Sequence, residues 1–251
     1  MNHELETDLW PKIEPLLSRV EKPARYIGME RGALSPRHRE SDVSWLLIYP
    51  DTYEIGLPNQ GLQILYEILN ERDDATAERA YAPWVDLEAE LRAKGIPLFS
   101  VDTHRRADAF DVLAFNLSAE LVFTNLLNCI DLAGSPVRSS DRHDHDPIVV
   151  AGGHSTFNPE PLADFVDAFV MGEGEEVVGE MTEVLRGWKA NKKHNREGVL
   201  RELASIPGVY VPSLYEVAYD GPHIVEIKPL YPGVPERIEK RTVSDLGDWP
   251  Y

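Results

Sequence analysis

Cysteine is all but missing from this chain: Cys129 is the single one among 251 residues. One thiol forms no internal disulfide and supplies no cysteine-only zinc or iron–sulfur site. Basic charge is also scarce, with 25 lysines and arginines against 43 aspartates and glutamates and a formal net charge of −18. A surface this acidic repels phosphate backbones and anionic lipid, which argues against nucleic acid or a membrane as a direct partner. No apolar run approaches the roughly 20 residues that span a bilayer. The amino terminus, MNHELETDLW, is acidic where a secretory signal would be basic. A cytoplasmic location is the expectation. No expected strand is followed by G-x-x-x-x-G-K-[ST] or G-x-G-x-x-G, so a nucleotide or flavin site of the usual phosphate-loop kind lacks its signature.

What is present is a hydrophobic fraction of 43%, enough for one substantial core. Trp45-Leu46-Leu47-Ile48-Tyr49 is an apolar run without polar alternation, as in a parallel strand buried on both faces. Pro50 ends it, and a glycine-bearing loop from Asp51 to Gly61 leads into Leu62, Leu65, Tyr66 and Leu69, spaced along one helical face. Ala77 to Tyr81, Asp111 to Leu117, Pro147 to Ala151 and Asp167 to Met171 are the next strands, with Leu98 to Val101 as a further short candidate. Helices are expected over Val85 to Lys94, where Gly95 stops the pattern, around Val122 to Ala133, and from Val177 to Trp188.

This alternation implies an α/β fold, a doubly wound five-stranded parallel sheet of Rossmann-like, flavodoxin-like order, over residues 41–195. Residues 1–40 read as a short helix and an extended arm. Residues 196–251 read as a helix, a β-hairpin within Val209 to Ile227 around Asp220-Gly221, and a proline-rich linker. In such sheets ligands sit beyond the carboxyl ends of the strands. That places the candidate site on the loops after Tyr49, Leu117, Ala151 and Met171.

Those loops hold the candidate residues. Asp51-Thr52-Tyr53-Glu54-Ile55-Gly56 follows the first strand, and Asn116-Leu117-Ser118 the third. Gly152-Gly153-His154 follows the fourth; glycines there either let a ligand approach the backbone or make a tight turn. Gly172-Glu173-Gly174-Glu175 follows the fifth, where its carboxylates also suit a helix start. His143-Asp144-His145-Asp146 has metal-ligand residue types but reads as a solvated connection, so no metal ligand is expected. Tyr49, Tyr53 and Phe157 are rings that either pack on a flat ligand or join the core.

PARYIG near the arm, YPDTYEIGLPNQGLQILYEILN, GGHSTFNPEP, MGEGEE and GVYVPSLY, in that order, resemble the N-terminal cobalamin (B12)-binding domain of B12-type radical SAM proteins, in particular one bacterial family of them. The resemblance runs from about Val20 to the end of the chain. It implies a Rossmann-like auxiliary domain followed by a radical SAM barrel, in cis or in trans, whose C-x-x-x-C-x-x-C loop holds a [4Fe-4S] cluster that cleaves S-adenosylmethionine. This sequence has no such loop, so the cluster and S-adenosylmethionine are expected only in the barrel, and the chain alone is not expected to be catalytic. The expected reading is the N-terminal domain of a larger enzyme, excised or one half of a split protein.

The resemblance also implies noncovalent cobalamin at Asp51, Tyr53, Gly56, Asn116, Ser118, Gly152, Gly153, His154 and Glu173. Three departures matter. The usual loop reads D-x-H-x-x-G, with the histidine below cobalt; here Tyr53 stands in its place, and a phenol with a pKa near 10 is a poor ligand at neutral pH. The S-x-L pattern that receives the displaced base aligns with Asn116-Leu117-Ser118, so serine has become asparagine and leucine serine. The rival expectation is a cofactor-free relic that docks on the barrel and fills its own crevice with Tyr53, Phe157 or Leu57.

Overall fold

The computed structural model describes residues 7–30, 32–34, 38–190, 195–245 and 247. The chain begins with α1 (Trp10–Ile13), continues as a 3-10 turn over Glu14–Arg19, and then runs as an arm to β1 (Val43–Tyr49). The loop after β1 holds the single-turn α2 (Tyr53–Gly56) and then α3 (Gln60–Asn70). Next come β2 (Ala75–Tyr81), α4 (Val85–Lys94), β3 (Val112–Asn116), α5 (Phe123–Leu132), β4 (Ile148–Gly152) and β5 (Ala168–Val170). The chain continues with α6 (Val177–Ala190), α7 (Arg196–Leu203), β6 (Val209–Tyr210) and the hairpin of β7 (Tyr215–Asp220) and β8 (His223–Pro229).

The main sheet has six strands in the order β2-β1-β3-β4-β5-β6. β1 to β5 run parallel, and β6 pairs antiparallel with β5 through Phe169↔Tyr210 and Val170↔Val209. The five-stranded all-parallel expectation is therefore corrected to a mixed six-stranded sheet. Val209 and Tyr210 join that sheet instead of opening the hairpin, which begins at Tyr215 and forms a separate two-stranded sheet. Leu98 to Val101 is not one of the strands. Its Leu98 N–H donates to Leu132 O and its Val101 N–H to Arg79 O, which spends its backbone groups on two different elements.

β1 and the central strands are buried on both faces, as their unbroken apolar sequences require. α3 and α6 contact each other and β1 on one face. α4 and α5 are tied together by Arg92 with Asp131 (2.7 Å) and Asn128 with Glu88 (3.0 Å). Right-handed crossovers put this pair on the opposite face. β2 is an edge strand, yet all seven of its residues are buried, Glu78 and Arg79 included. The N-terminal arm covers it: His38 pairs with the Glu78 carboxylate, and Glu30 lies 3.4 Å from Arg79. Ser100 and Thr103 also donate to Glu78, and Arg79 bonds Asp102 at 2.7 Å with its guanidinium over the Tyr66 ring. The charges of an edge strand are thus neutralised inside a covered edge.

Candidate functional site

A cavity of about 220 Å³ lies between the sheet and the helices α3 and α6. Its walls follow from strand alternation. Trp45 and Leu47 of β1, Ala114 and Asn116 of β3, Val150 and Gly152 of β4 and Val170 of β5 line it, each strand contributing alternate residues to one face. Leu62 and Leu65 of α3 and Val178 and Met181 of α6 form the other wall. The register pairs Trp45 with Val112 and Asn116 with Gly152, so the slot runs roughly 13 Å along the strands, four residues at about 3.3 Å each. The small residues Ala114 and Gly152 in the sheet, facing Gly61 at the start of α3, leave this space open. Asn59 caps α3 by accepting the Leu62 N–H at 2.9 Å and so fixes Gly61 in the first turn.

The mouth is at the carboxyl end of the strands, ringed by Gly61, Gly153, Gly172, Glu173, Gly174 and Glu175. Asn116 Nδ2 donates to Asn59 Oδ1 at 3.1 Å across it. The depth is lined by apolar side chains. Trp45, only 1% exposed, has an indole N–H without a hydrogen-bond partner among the described residues. No histidine, cysteine, serine or lysine lines the slot among the described residues. The lining is mostly apolar, and its ionisable groups, Glu173 and Glu175, stand at the mouth.

Of the residues expected from sequence, Asn116, Gly152, Gly153 and Glu173 line the slot. The two glycines divide the two roles open to them. A Cβ on Gly152 would meet nothing nearer than Val170 Cβ at 3.9 Å, so its hydrogen faces free space. Gly153 has φ +102°, and a Cβ there would lie 2.8 Å from Leu117 O, so it serves the turn. Leu117 and Ser155 N–H groups donate to Gly152 O and Leu117 O, stitching that turn to the end of β3.

The remaining expected residues are not in the slot lining. Asp51 accepts from Thr52 N–H at 2.6 Å and, through its carbonyl, from Ala82 N–H, which closes the loop after β1 against the end of β2. Tyr53 packs edge-on to Tyr81 at 5.3 Å and donates its hydroxyl to Glu30 Oε1 at 2.9 Å. Burial, aided by the bond to Glu30, pushes the Tyr53 phenol up to about 12. Gly56 is required by packing, because a Cβ would fall 2.5 Å from the Tyr81 ring. Ser118 shares a 2.7 Å hydrogen bond with Tyr49, and His154 is exposed beside the mouth. Phe157, Ile55 and Leu121 present apolar surface on the same rim, 54%, 54% and 91% exposed.

The MGEGEE segment holds the chain's own carboxyl-terminal stretch. Gly172, at φ +109°, forms a parallel bridge to Arg241, and a Cβ on it would strike Arg241 O at 2.2 Å. The Arg241 guanidinium reaches Glu176 and Glu180, and the Val243 N–H donates to Glu173. Lys240 to Val243 therefore lie beside the slot mouth. The candidate signal in GEGE was a helix start or a ligand, and the partner it meets in the structure is this strap.

Elsewhere the candidate groups are spent on structure. Asp146 accepts the His143 N–H and Asp144 the Arg196 N–H, and among the described residues no group of three or more His, Cys, Asp or Glu could hold a metal ion. Cys129 is fully buried in α5, and burial pushes its thiol up to about 12. Sequence reasoning missed Trp45, Leu47, Gly61 and Ala114 as lining residues. Which face Trp45 and Leu47 present, and that the small Gly61 and Ala114 face one another across helix and sheet, shows only once the pairing register is known.

No helix among the described residues is long and apolar enough to cross a membrane. No curated protein and no solved structure matches the chain. Residues 61–212, from the first turn of α3 to just beyond β6, match the family described as radical SAM proteins, N-terminal. That match covers more than half of the chain and includes every residue of the slot lining except Trp45 and Leu47, and the chain belongs to the family of radical SAM proteins as an N-terminal domain.

Proposed function

We propose that this domain binds cobalamin noncovalently for a radical SAM enzyme, taking the nucleotide base of the cofactor into the slot between the sheet and α3 and α6. The observation that carries the reading is the open slot: none of Tyr53, Phe157 and Leu57, the side chains a relic would use to fill its crevice, lines it. Its size agrees. A cavity of about 150 Å³ admits a benzene ring, and about 220 Å³ suits a fused bicyclic base. Ile55, Leu121 and Phe157 form the exposed apolar rim that would carry the corrin. Bound cobalamin supplies a cobalt centre able to carry a methyl group, and the radical chemistry belongs to the part of the enzyme with the cluster. Tyr53, protonated at neutral pH and donating its hydroxyl to Glu30, would offer cobalt no ligand.

A second reading has two observations in its favour. Asp51, Tyr53 and Gly56 are all engaged in packing the arm and β2, and Leu121 is 91% exposed on the rim, which suits a cofactor-free domain that docks on the barrel. The two are separated by titration of the purified chain with hydroxocobalamin, followed by gel filtration. Stoichiometric retention of colour, without the spectral shift of an imidazole ligand, is the expected result. A colourless protein peak at high micromolar cobalamin would leave the docking reading in front.

A further inference from the structure

The hairpin of β7 and β8 forms a two-stranded sheet of its own, and two strands alone are marginally stable in water. Its side chains sort by face. Tyr215, Val217 and Tyr219 of β7 and their partners Pro229, Ile227 and Ile224 of β8 share one face, while Glu216 and Ala218 share the other with Lys228 and Glu226. The outer edge is open, since every residue from His223 to Lys228 is exposed, with Val225 at 60% and Ile227 at 40%. The ladder fixes which backbone groups face outward there. Leu230 N–H donates to Leu214 O, so antiparallel alternation turns the backbone of Lys228 and Glu226 toward β7 and leaves the N–H and C=O of Ile227 pointing away. Pro229 takes the next outward place, where its missing N–H costs the hairpin nothing.

We propose that β8 is a self-association edge, pairing antiparallel with β8 of a second copy of this chain about a two-fold axis at Ile227. In this register each Ile227 N–H donates to the Ile227 O of the other copy, and Glu226 of either copy falls opposite Lys228 of the other. Charge selects the register. Moving the axis to Glu226 or to Lys228 sets that charge against its own copy, which is unfavourable for residues directly opposite. A slip of one residue in the pairing sets Ile227 on the face of the charges. Within one chain Lys228 and Glu226 already pair at 2.7 Å, so the axis gathers four groups of alternating sign. The product is a four-stranded sheet, past the two-strand limit of stability, with the two Ile227 side chains adjacent on its apolar face. The net charge of −18 on each copy opposes the contact, but at about 0.15 M salt charges more than about 8 Å apart are largely screened. The edge is short, so the dissociation constant should be on the order of 10 µM.

The test is sedimentation equilibrium of the chain from about 1 to 200 µM, a range that brackets such a constant. The average mass is expected to climb from that of the monomer toward twice that value. Glu226→Lys and Lys228→Glu each place like charges across the axis, and each is expected to weaken association at least about tenfold. Both should keep the native circular dichroism, because the groups are exposed and their loss costs little stability. An equimolar mixture of the two variants is expected to regain the dimer, since one copy then offers two basic groups and the other two acidic ones. That recovery also shows that both hairpins are folded. A chain that stays monomeric at about 200 µM, twentyfold above the expected constant, overturns the pairing. A dimer unaltered by either single variant forms through another surface and overturns it as well, as does a mixture that remains monomeric.

Discussion

Replacing Ala114 by leucine sets stability against binding at the centre of the slot. Ala114 sits in the middle of β3, faces α3 and α6, and is only partly covered because the cavity lies in front of it. Leucine adds three carbons at this position. At about 0.8 kcal/mol for each buried methylene the gain is about 2.4 kcal/mol, and fixing the longer side chain costs about 0.5–1 kcal/mol. The net is a stabilisation of about 1.5 kcal/mol, read as a rise in thermal midpoint of about 3–6 °C for a chain of this size. Cobalamin binding should fall below detection, because the added atoms take the space of the base. Urea denaturation and corrinoid titration of the same preparation measure both effects. A loss of stability of about 1–3 kcal/mol, the usual cost of overpacking a filled core, would refute the open slot. Unchanged affinity with raised stability would show that the slot exists and the ligand binds elsewhere.

The remaining expectations concern the frame around the slot. Burial opposes ionisation of Glu78, but hydrogen bonds from His38, Ser100 and Thr103 outweigh it and hold the carboxyl below its usual range. A depressed folded pKa contributes stability above the unfolded value of about 4.3, lost as pH falls through the folded value. Acid denaturation followed by circular dichroism should therefore show a shallower fall below about pH 4.3 in Glu78→Gln, which starts from a stability lower on the order of 3 kcal/mol. Cys129, buried with its thiol raised to about 12, should remain unlabelled by a thiol reagent at pH 8 until the chain is unfolded. Stoichiometric labelling of the native protein would contradict its burial. Arg241→Ala removes the contacts to Glu176 and Glu180. These groups are partly exposed, so the cost should be at most about 1 kcal/mol, while limited proteolysis within residues 236–245 should quicken severalfold.

The sequence made the parallel core legible because unbroken apolar runs mark strands buried on both faces, and β1 and β4 lie where those runs do. α4 occupies Val85–Lys94, the span its pattern and Gly95 define. The same double burial hid the slot. When both faces of a strand are apolar, alternation no longer says which residues look toward α3 and α6, and the partnership of Ala114, Gly152 and Gly61 depends on register. β6 was hidden by its length, two residues recruited by β5 ahead of a more conspicuous hairpin. Leu98 to Val101 reads as a strand because it is apolar, but that apolarity serves burial between the arm and α5. The Asp51–Gly56 pattern shows the opposite case. Its spacing is visible in the sequence, while the tertiary partners that occupy it, Glu30 and the Tyr81 ring, come from the arm and from β2.

The most direct test of a base held in the slot is electron paramagnetic resonance of cob(II)alamin mixed with a small excess of the protein. The nitrogen splitting from the coordinated benzimidazole should disappear without replacement by a histidine nitrogen, since the base has moved between the sheet and the helices and the loop after β1 carries Tyr53. A bound spectrum that keeps the benzimidazole splitting would contradict it, because the base would still be on cobalt and the slot would be taking nothing from the cofactor.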